Sequence, residues 1–349
     1  MSQFFYAIIL ISTFNSVNAK IYSENEIQNF YVSYGLEQKH QQVIVDYKDS
    51  INSDDFLKLV INAPDDDLLS EYHLNGLLDY LSNQRKNNKH LATVMSLQKH
   101  QSQALKKHEE GSFNVPIFNI QARAKGVENI WHMQEVQETI IMQLELDIQS
   151  GLIMVKQVLA EKHEAKTLGI KNSLKYLSEQ AIHKLSKFFN AHINQIKGLE
   201  KYIIDFAVET DDKLLINKLN LSLPKVYSEY LLRNIIKHYE EDYSIQQLIK
   251  HSQSGSSKRF SVSLLKPYVD GNKGVQDYLI SVLDNKELSS VSAFSLSQSQ
   301  EQTVIDLLEN KFLLSDSEWV KNNIRLSLKL SSHSSAQKLL EQLNKGDDK

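Results

Sequence analysis

Three similar segments lie in the last third of the chain: Val282-Leu283-Asp284-Asn285-Lys286, Leu307-Leu308-Glu309-Asn310-Lys311 and Leu340-Glu341-Gln342-Leu343-Asn344-Lys345. Each closes a run of apolar residues spaced three or four apart, which is the spacing of one face of an α-helix. Asparagine tolerates the left-handed backbone conformation just past a helix, and lysine complements the negative end of the helix dipole. The segments therefore predict three helices that end at these Asn-Lys pairs.

Second helices are predicted between these three, because Val291, Phe294 and Leu296 share one helical spacing and Val320, Ile324 and Leu328 share another. Helix pairs that cannot bury their apolar faces alone stack on neighbouring pairs. Over about residues 225–345 the pattern resembles the HEAT-like α-helical repeat proteins, which are α-solenoids. The resemblance implies irregular helix-pair repeats over 258–345, and a scaffold or binding surface rather than a particular activity. An ordinary helical bundle stays open as the alternative.

The composition extends the helical prediction to the whole chain. Only 11 Gly and 4 Pro occur among 349 residues, whereas folds rich in strands need many turn glycines. The expected fold class is all-α and multi-helical. Because the length exceeds the roughly 250–300 residues at which single cores stop growing, we predict an N-terminal helical region over 20–111, a central one over 112–251 and the repeats over 258–345. The serine-rich residues 252–257 are predicted to be a loop.

Acidic pairs mark several predicted helix starts, namely Asp54-Asp55, Asp66-Asp67 and Asp211-Asp212. A carboxylate there caps free backbone N–H groups and complements the dipole, which explains the pairs better than metal binding does. Ser315 with Glu318 matches a capping box. The clearest single helix is predicted over 171–197, where apolar residues recur at steps of three and four.

The N-terminus carries the pattern of a secretory signal. Residues 4–14 are almost wholly apolar, and the small residues Val17 and Ala19 precede a cleavage position before Lys20. We therefore predict that residues 1–19 are a signal peptide and that the protein is exported, to the periplasm or outside the cell. A buried N-terminal strand or helix is the alternative.

No later run is long and uncharged enough to span a membrane, and the absence of cysteine excludes disulfides and thiolate sites.

Motifs that carry catalytic chemistry are missing. The sequence lacks Gly-x-Ser-x-Gly, His-Glu-x-x-His and glycine-rich phosphate loops, so no catalytic residue, metal ligand or cofactor is predicted. Ser96 and Lys99 have the spacing of a Ser-x-x-Lys motif. The same spacing recurs at Ser222/Lys225 and Ser335/Lys338, so we interpret it as background. A net charge of −4 disfavours nucleic acid as a partner.

One stretch is strongly basic. From Tyr80 to His108 there is no Asp or Glu, and six cationic residues form a possible surface for an anionic partner: Arg85, Lys86, Lys89, Lys99, Lys106 and Lys107. The alternative, which we favour, is a solvated helix balanced by Asp65, Asp66 and Asp67 and by Glu109 and Glu110 nearby.

Together these patterns favour an exported helical-repeat protein that binds an unidentified protein partner, as a scaffold, adaptor or chaperone-like module. The alternative is a cell-envelope hydrolase whose site is assembled from distant segments. Short motifs miss such sites, so the fold must discriminate: a closed polar pocket favours the hydrolase and an open groove favours the binding protein.

Overall fold

The structure is a computed structural model that describes residues 19–32, 36–61, 67–109, 111, 113–193 and 197–346. The predicted signal peptide lies outside these residues except for Ala19, as does Asp66 of the second acidic pair. The described residues form nineteen α-helices and one sheet of three short strands, which confirms the all-α prediction.

The chain divides into two compact units, of which the first comprises Met1–Glu138 and His163–Gly169. Its helices are α1 (Glu24–Tyr31), α2 (Leu36–Asp49), α3 (Ser53–Ile61), α4 (Asp67–Ser82), α5 (Asn88–Leu97), most of α6 (Ile120–Leu146) and the first part of α8 (Glu164–Ser173). The strands are β1 (Lys20–Tyr22), β2 (Ala104–Lys107) and β3 (Asn114–Pro116), in the order β1-β2-β3. Strand β2 pairs in parallel with β1 and antiparallel with β3.

Helix α4 is the centre of the first unit. Leu74, Leu77, Leu78 and Leu81 are fully buried, and α4 contacts α2, α3 and β2. Leucines at steps of three and four place these side chains on the inner side of the helix. Trp131 of α6 closes the core and donates its indole N–H to the Gln84 carbonyl at 2.9 Å.

The second unit comprises Thr139–Lys162 and Ile170–Lys349. It contains the end of α6 and the following helices: α7 (Ile148–Ala160), the end of α8 (Glu164–Ser173), α9 (Glu179–Ala191), α10 (Glu200–Glu209), α11 (Lys213–Ser222), α12 (Lys225–His238), α13 (Glu241–Ser254), α14 (Lys258–Ser263), α15 (Lys273–Val282), α16 (Ser289–Leu296), α17 (Gln302–Leu314), α18 (Glu318–Leu330) and α19 (Ser334–Gly346).

Helices of the second unit pack on the next helix but one. Helices α10, α12, α14, α16 and α18 contact one another in succession, as do α9, α11 and α13, and then α15, α17 and α19. Two equivalent hydrogen bonds join consecutive helices: Ser261 Oγ donates to the Leu248 carbonyl and Ser292 Oγ to the Leu279 carbonyl, each at 2.6 Å and 13 residues apart. This packing is compatible with an α-solenoid-like arrangement.

The prediction of one long helix over 171–197 was wrong. Helix α8 ends at Ser173, a short 3₁₀ turn covers Leu174–Tyr176, and α9 begins only at Glu179. Ser178 starts the new helix, because its side chain accepts a hydrogen bond from the Ala181 backbone N–H at 3.2 Å. The apolar spacing continued across the break, so periodicity alone concealed it.

Several predicted helix ends also differ from the structure. Asn310 and Asn344 lie inside α17 and α19, and only Asn285 lies beyond its helix. The described non-glycine residues with positive φ are Lys162 and Asp211, so the asparagines do not take the left-handed conformation that the prediction assumed.

Two local predictions in this unit were wrong as well. Ser252, predicted to lie in a loop, belongs to α13, which runs to Ser254. The expected capping box is missing, because Ser315 Oγ instead accepts from the Ser317 backbone N–H before α18 begins.

No helix in the described ranges combines the length and the apolar character needed to cross a membrane.

Candidate functional site

Two residues of the basic stretch form ion pairs with another helix. Arg85 lies 3.1 Å from Glu138 and Lys86 lies 2.8 Å from Glu135, so carboxylates of α6 balance these two charges. The stretch does not form one helix, since it runs from α4 through α5 to β2. Tertiary packing therefore places carboxylates of α6 beside two of the six cationic residues.

Lys89 has a structural contact of its own. Its ammonium group donates to the backbone carbonyls of Tyr47 and Ser50 and lies 4.5 Å from the centre of the Tyr47 ring. Burial lowers the pKa of this lysine. These two hydrogen bonds of Lys89 tie the start of α5 to the end of α2 and to Ser50 beyond it.

Lys106 and Lys107 lie on β2, whereas Lys99 lies in the segment between α5 and β2. Of the six predicted residues, Lys99 lines a cleft. This first-unit cleft has a volume of about 520 Å³ and is lined by Asp54, Leu57, Lys58, Ile61, Ser96, Leu97, Lys99, His100, Gln101 and Gln103.

The first-unit cleft is held between α3 and the end of α5. Helix α3 begins after Asn52, whose side-chain oxygen accepts from the Asp54 backbone N–H at 2.9 Å. Helix α5 begins after Asn87, whose side chain accepts from the His90 N–H at 2.8 Å. Asparagine at a helix N-cap satisfies backbone donors that the helix leaves free. These two caps determine where α3 and α5, the helices on either side of the cleft, begin.

Glu71 of α4 holds the segment 98–103 in place beside the cleft. One carboxylate oxygen, Oε1, accepts from the Gln103 N–H at 2.5 Å and from the Ala104 N–H at 3.3 Å. The same oxygen lies 3.4 Å from His100 Nε2. The side chains of Glu71 and His100 are 2% and 8% exposed, so this is a buried acid–imidazole contact at the edge of the cleft.

The second oxygen of Glu71, Oε2, is buried, and no described residue gives it a hydrogen bond. A carboxylate without a donor at one oxygen costs free energy, so such groups call for an explanation. His100 uses Nε2 toward Glu71, and its Nδ1 has no hydrogen-bond partner among the residues the structure covers. The His100 imidazole thus contacts the buried Glu71 carboxylate and also lines the first-unit cleft.

Charged and apolar groups alternate along the wall formed by α3. Lys58 is well exposed, and its ammonium group lies 3.8 Å from Asp55. Asp54 accepts a hydrogen bond from Ser96 Oγ at 3.3 Å. Leu57 and Leu97 are buried beneath these side chains. The cleft therefore offers two lysine ammonium groups and one imidazole above an apolar floor, with a single lining carboxylate that Ser96 engages.

Such a cleft can bind an anionic group that carries an apolar portion. Pockets that fix orientation with a few polar groups over an apolar lining are the usual form of ligand sites. It does not present a serine nucleophile, because Ser96 donates to Asp54 and no hydrogen bond among described residues joins it to His100. No group of three His, Cys, Asp or Glu side chains in the described part of the chain is arranged to hold a metal ion.

Sequence reasoning identified Lys99 but missed Lys58, His100 as a partner of Glu71, and Glu71 itself. These residues come from three segments that no short motif connects. The basic stretch gave Lys99, and the Ser96/Lys99 spacing was a second local signal that was interpreted as background. Comparison of the chain with known protein families, with curated proteins and with solved structures finds no match in any of the three.

Proposed function

We propose that this is an exported binding protein that engages a protein partner, taking an anionic group of that partner in the first-unit cleft. The observation that supports this is the open cleft in which Lys58, Lys99 and His100 lie over Leu57 and Leu97. An acidic segment with apolar residues complements both the charge and the floor. Electrostatic complementarity of this kind gives specificity and faster association.

In this proposal the second unit is the scaffold. We propose that α10 to α19 form irregular HEAT-like helix pairs, because helices two apart contact one another and Ser261 and Ser292 make equivalent bonds. Stacked helix pairs give extended surfaces on which adaptors assemble partners.

A peptide titration tests the proposed binding. Two fluorescent peptides share the same leucines, one with glutamates and one with lysines between them, and anisotropy reports their binding to the purified protein. We expect the glutamate peptide to bind and the lysine peptide not to bind. Lys58→Gln with Lys99→Gln should weaken binding of the glutamate peptide about thirtyfold, since each of the two charge-assisted contacts at a part-exposed site contributes about 1 kcal/mol.

The matched control is Lys106→Gln with Lys107→Gln, which removes the same charge from β2, outside the cleft. Its affinity should stay within about twofold of the unchanged protein, because screening limits the reach of exposed charges. Equal losses in both double variants would show that net charge, rather than the cleft, binds the peptide. Failure of the glutamate peptide to bind at all would reject the proposal.

A hydrolase is the second candidate function, favoured by the contact between His100 and Glu71 at the cleft. A carboxylate beside an imidazole is an arrangement that supports general-base catalysis. The test is hydrolysis of p-nitrophenyl acetate and p-nitrophenyl phosphate. Activity that is abolished by both His100→Gln and Glu71→Gln would favour the hydrolase, whereas equal background rates in all three proteins would favour the binding protein.

A further inference from the structure

A second cleft lies in the second unit, where two turns between helices meet. It has a volume of about 420 Å³ and is lined by Val208, Glu209, Asp211, Lys213, His238, Tyr239, Glu240 and Tyr243. These residues come from the turn between α10 and α11 and the turn between α12 and α13. We call this site the tyrosine cleft. Nothing in the proposed function of the first unit uses it.

Two tyrosine rings form one wall of the tyrosine cleft. The ring centres of Tyr239 and Tyr243 are 4.9 Å apart, and the ring planes are tilted by 40°. Both hydroxyl oxygens are buried; the Tyr239 hydroxyl interacts with Asp211, whereas the Tyr243 hydroxyl has no hydrogen-bond partner within the described part of the chain. Buried polar atoms are nearly always paired, because an unpaired one costs about 1–3 kcal/mol. The unpaired Tyr243 hydroxyl therefore indicates a group that the chain itself does not supply.

Both hydroxyls remain protonated at neutral pH. Burial and then the negative charge of Asp211 raise the pKa of Tyr243 to about 12. Burial, the charge of Asp211 and a hydrogen bond to Asp211 raise the pKa of Tyr239. A protonated phenol donates one hydrogen bond and accepts others. Each hydroxyl can thus donate toward a carboxylate while it accepts a hydrogen bond from a cationic ligand.

The charge of the tyrosine cleft is acidic, since Glu209, Asp211 and Glu240 face one lysine, Lys213. The carboxylates do not converge as a metal site does, because no triad of His, Cys, Asp or Glu in the described segments can hold an ion. Spread carboxylates beside aromatic faces instead suit an organic cation, whose charge binds both a carboxylate and a ring.

The chain already places one such cation in the tyrosine cleft. The ammonium group of Lys213 lies 5.3 Å from the centre of the Tyr243 ring and 3.8 Å from Asp211 Oδ2. Its side chain is 56% exposed, so it can leave at little cost. Lys213 thus shows that the site accommodates an ammonium group between a carboxylate and an aromatic ring. The other two carboxylates, Glu209 and Glu240, have no cation from the lining residues.

We propose that the tyrosine cleft binds an alkylammonium group, which displaces Lys213 from Tyr243 and Asp211. The group is that of a free polyamine or of a lysine side chain in a peptide. Its N–H groups donate to Asp211 and to the tyrosine hydroxyls, and its charge lies against the Tyr243 ring.

A similar cleft in the same unit provides a matched comparison. Lys273 begins α15 there as Lys213 begins α11, and Gly271 and Glu301 lie beside it. Both of its acids are engaged: Glu301 accepts from the Gly271 N–H at 2.5 Å, from Gln276 at 2.7 Å and from Thr303 at 3.0 Å. Asp306 accepts from Gln302 Nε2 at 2.8 Å. The bonds to Glu301, first the one from Gly271, lower the pKa of Glu301. No aromatic residue lines this cleft, so we expect it not to bind the ligand.

Calorimetric titration of the purified protein with spermidine, and separately with a short blocked peptide containing lysine, tests the proposal. Asp211→Asn should weaken binding about tenfold, because it removes a charge-assisted hydrogen bond. Asparagine tolerates the positive φ of 51° at this position, so the backbone is kept. Lys213→Met should tighten binding, because the competing ammonium group is removed. Tyr239→Phe with Tyr243→Phe should weaken it.

The controls are Glu301→Gln and Lys273→Met, which make the same charge changes at the matched cleft and should leave affinity unchanged. Tighter binding of spermidine identifies a free polyamine as the ligand, and tighter binding of the peptide identifies a protein segment. The proposal is overturned if neither probe binds, if Nε-acetylation of the peptide lysine has no effect, or if Lys273→Met tightens binding as much as Lys213→Met. Loss of peptide binding at the first-unit cleft would leave all these outcomes unaffected.

Discussion

Two histidines in the core of the first unit make its stability depend on pH. The rings of His40 and His73 are stacked with centres 6.0 Å apart, and the Nδ1 atom of each is buried without a partner among the described residues. Burial, followed by the nearby His40 and Lys39, lowers the pKa of His73 to about 4 from an ordinary 6.5. Burial also lowers the pKa of His40, although Asp79 and Glu37 oppose this.

We expect the free energy of unfolding to fall as the pH drops from 6.5 to 4. Between these pH values His73 is protonated in the unfolded chain but neutral in the folded chain. The unfolded state therefore binds more protons, and stability decreases as the pH falls. At about 1.4 kcal/mol per pKa unit the loss is about 3 kcal/mol by pH 4. Urea unfolding at several pH values measures it. His73→Asn should flatten this dependence, and an unchanged slope in the variant would contradict the assignment.

Gly76 of α4 makes room for the His40 ring. A Cβ atom at this position would lie 2.0 Å from His40 Cε1, whereas a Cβ at Gly126 of α6 would meet nothing within 4 Å. We expect Gly76→Ala to destabilise the fold by about 2 kcal/mol through overpacking. Gly126→Ala should stabilise it by about 0.5–1 kcal/mol, as alanine does in a helix interior. Thermal unfolding compares the two, and equal shifts of Tm would contradict this reading of Gly76.

At the scale of elements, the predicted cap at Asp212 was confirmed, whereas the capping box at Ser315 was wrong and Asp54 and Asp55 lie inside α3 rather than before it. Asp212 was predicted as a cap, and its Oδ1 accepts from the Leu215 N–H at 2.9 Å. A cap is local chemistry that a few adjacent residues determine. The break at Ser173 to Ser178 and the continuation of α17 past Asn310 depend instead on what the helices pack against. The spacing of apolar residues is the same on either side of such a break, so this spacing could not reveal where a helix is interrupted.

Asp212 also offers a test of capping in the second unit. Its Oδ2 accepts from Ser186 Oγ at 2.5 Å, so this carboxylate joins the start of α11 to α9. Asp212→Ala should lower the free energy of unfolding by about 2 kcal/mol, the upper range for a lost cap. Ser317→Ala is the control, because Ser317 precedes α18 without a side-chain cap bond and should change stability little. Chemical denaturation measures both, and similar losses would contradict the role of Asp212.

The first-unit cleft shows which residues of a site could be predicted from the sequence and which could not. Lys99 was found because six cations without an acid stand out over one stretch. Glu71 was not found, since its partners Gln103 and Ala104 are 32 and 33 residues away, and a helix pattern relates only residues on the same helix. The pairing of Arg85 and Lys86 with α6 was hidden for the same reason.

At the scale of the whole molecule, export remains a prediction with a structural consequence. Lys20 is the first residue of β1, and its backbone nitrogen donates to the Gln103 carbonyl at 2.8 Å. Cleavage before Lys20 would therefore leave a mature chain that begins directly in the sheet. Mass spectrometry of the protein isolated from its host should find an N-terminal peptide that starts at Lys20. A protein that retains Met1 would contradict export by this signal.

Site-specific photo-cross-linking in the native cell envelope tests the central claim, that the first-unit cleft binds a protein partner. A photoreactive residue replaces Gln101, which lines the cleft, or Gln253, an exposed residue of α13. We predict a discrete adduct from position 101 that disappears when Lys58 and Lys99 are both glutamine, and none of that mass from position 253. The same adduct from both positions, or its persistence without the two lysines, would contradict the account.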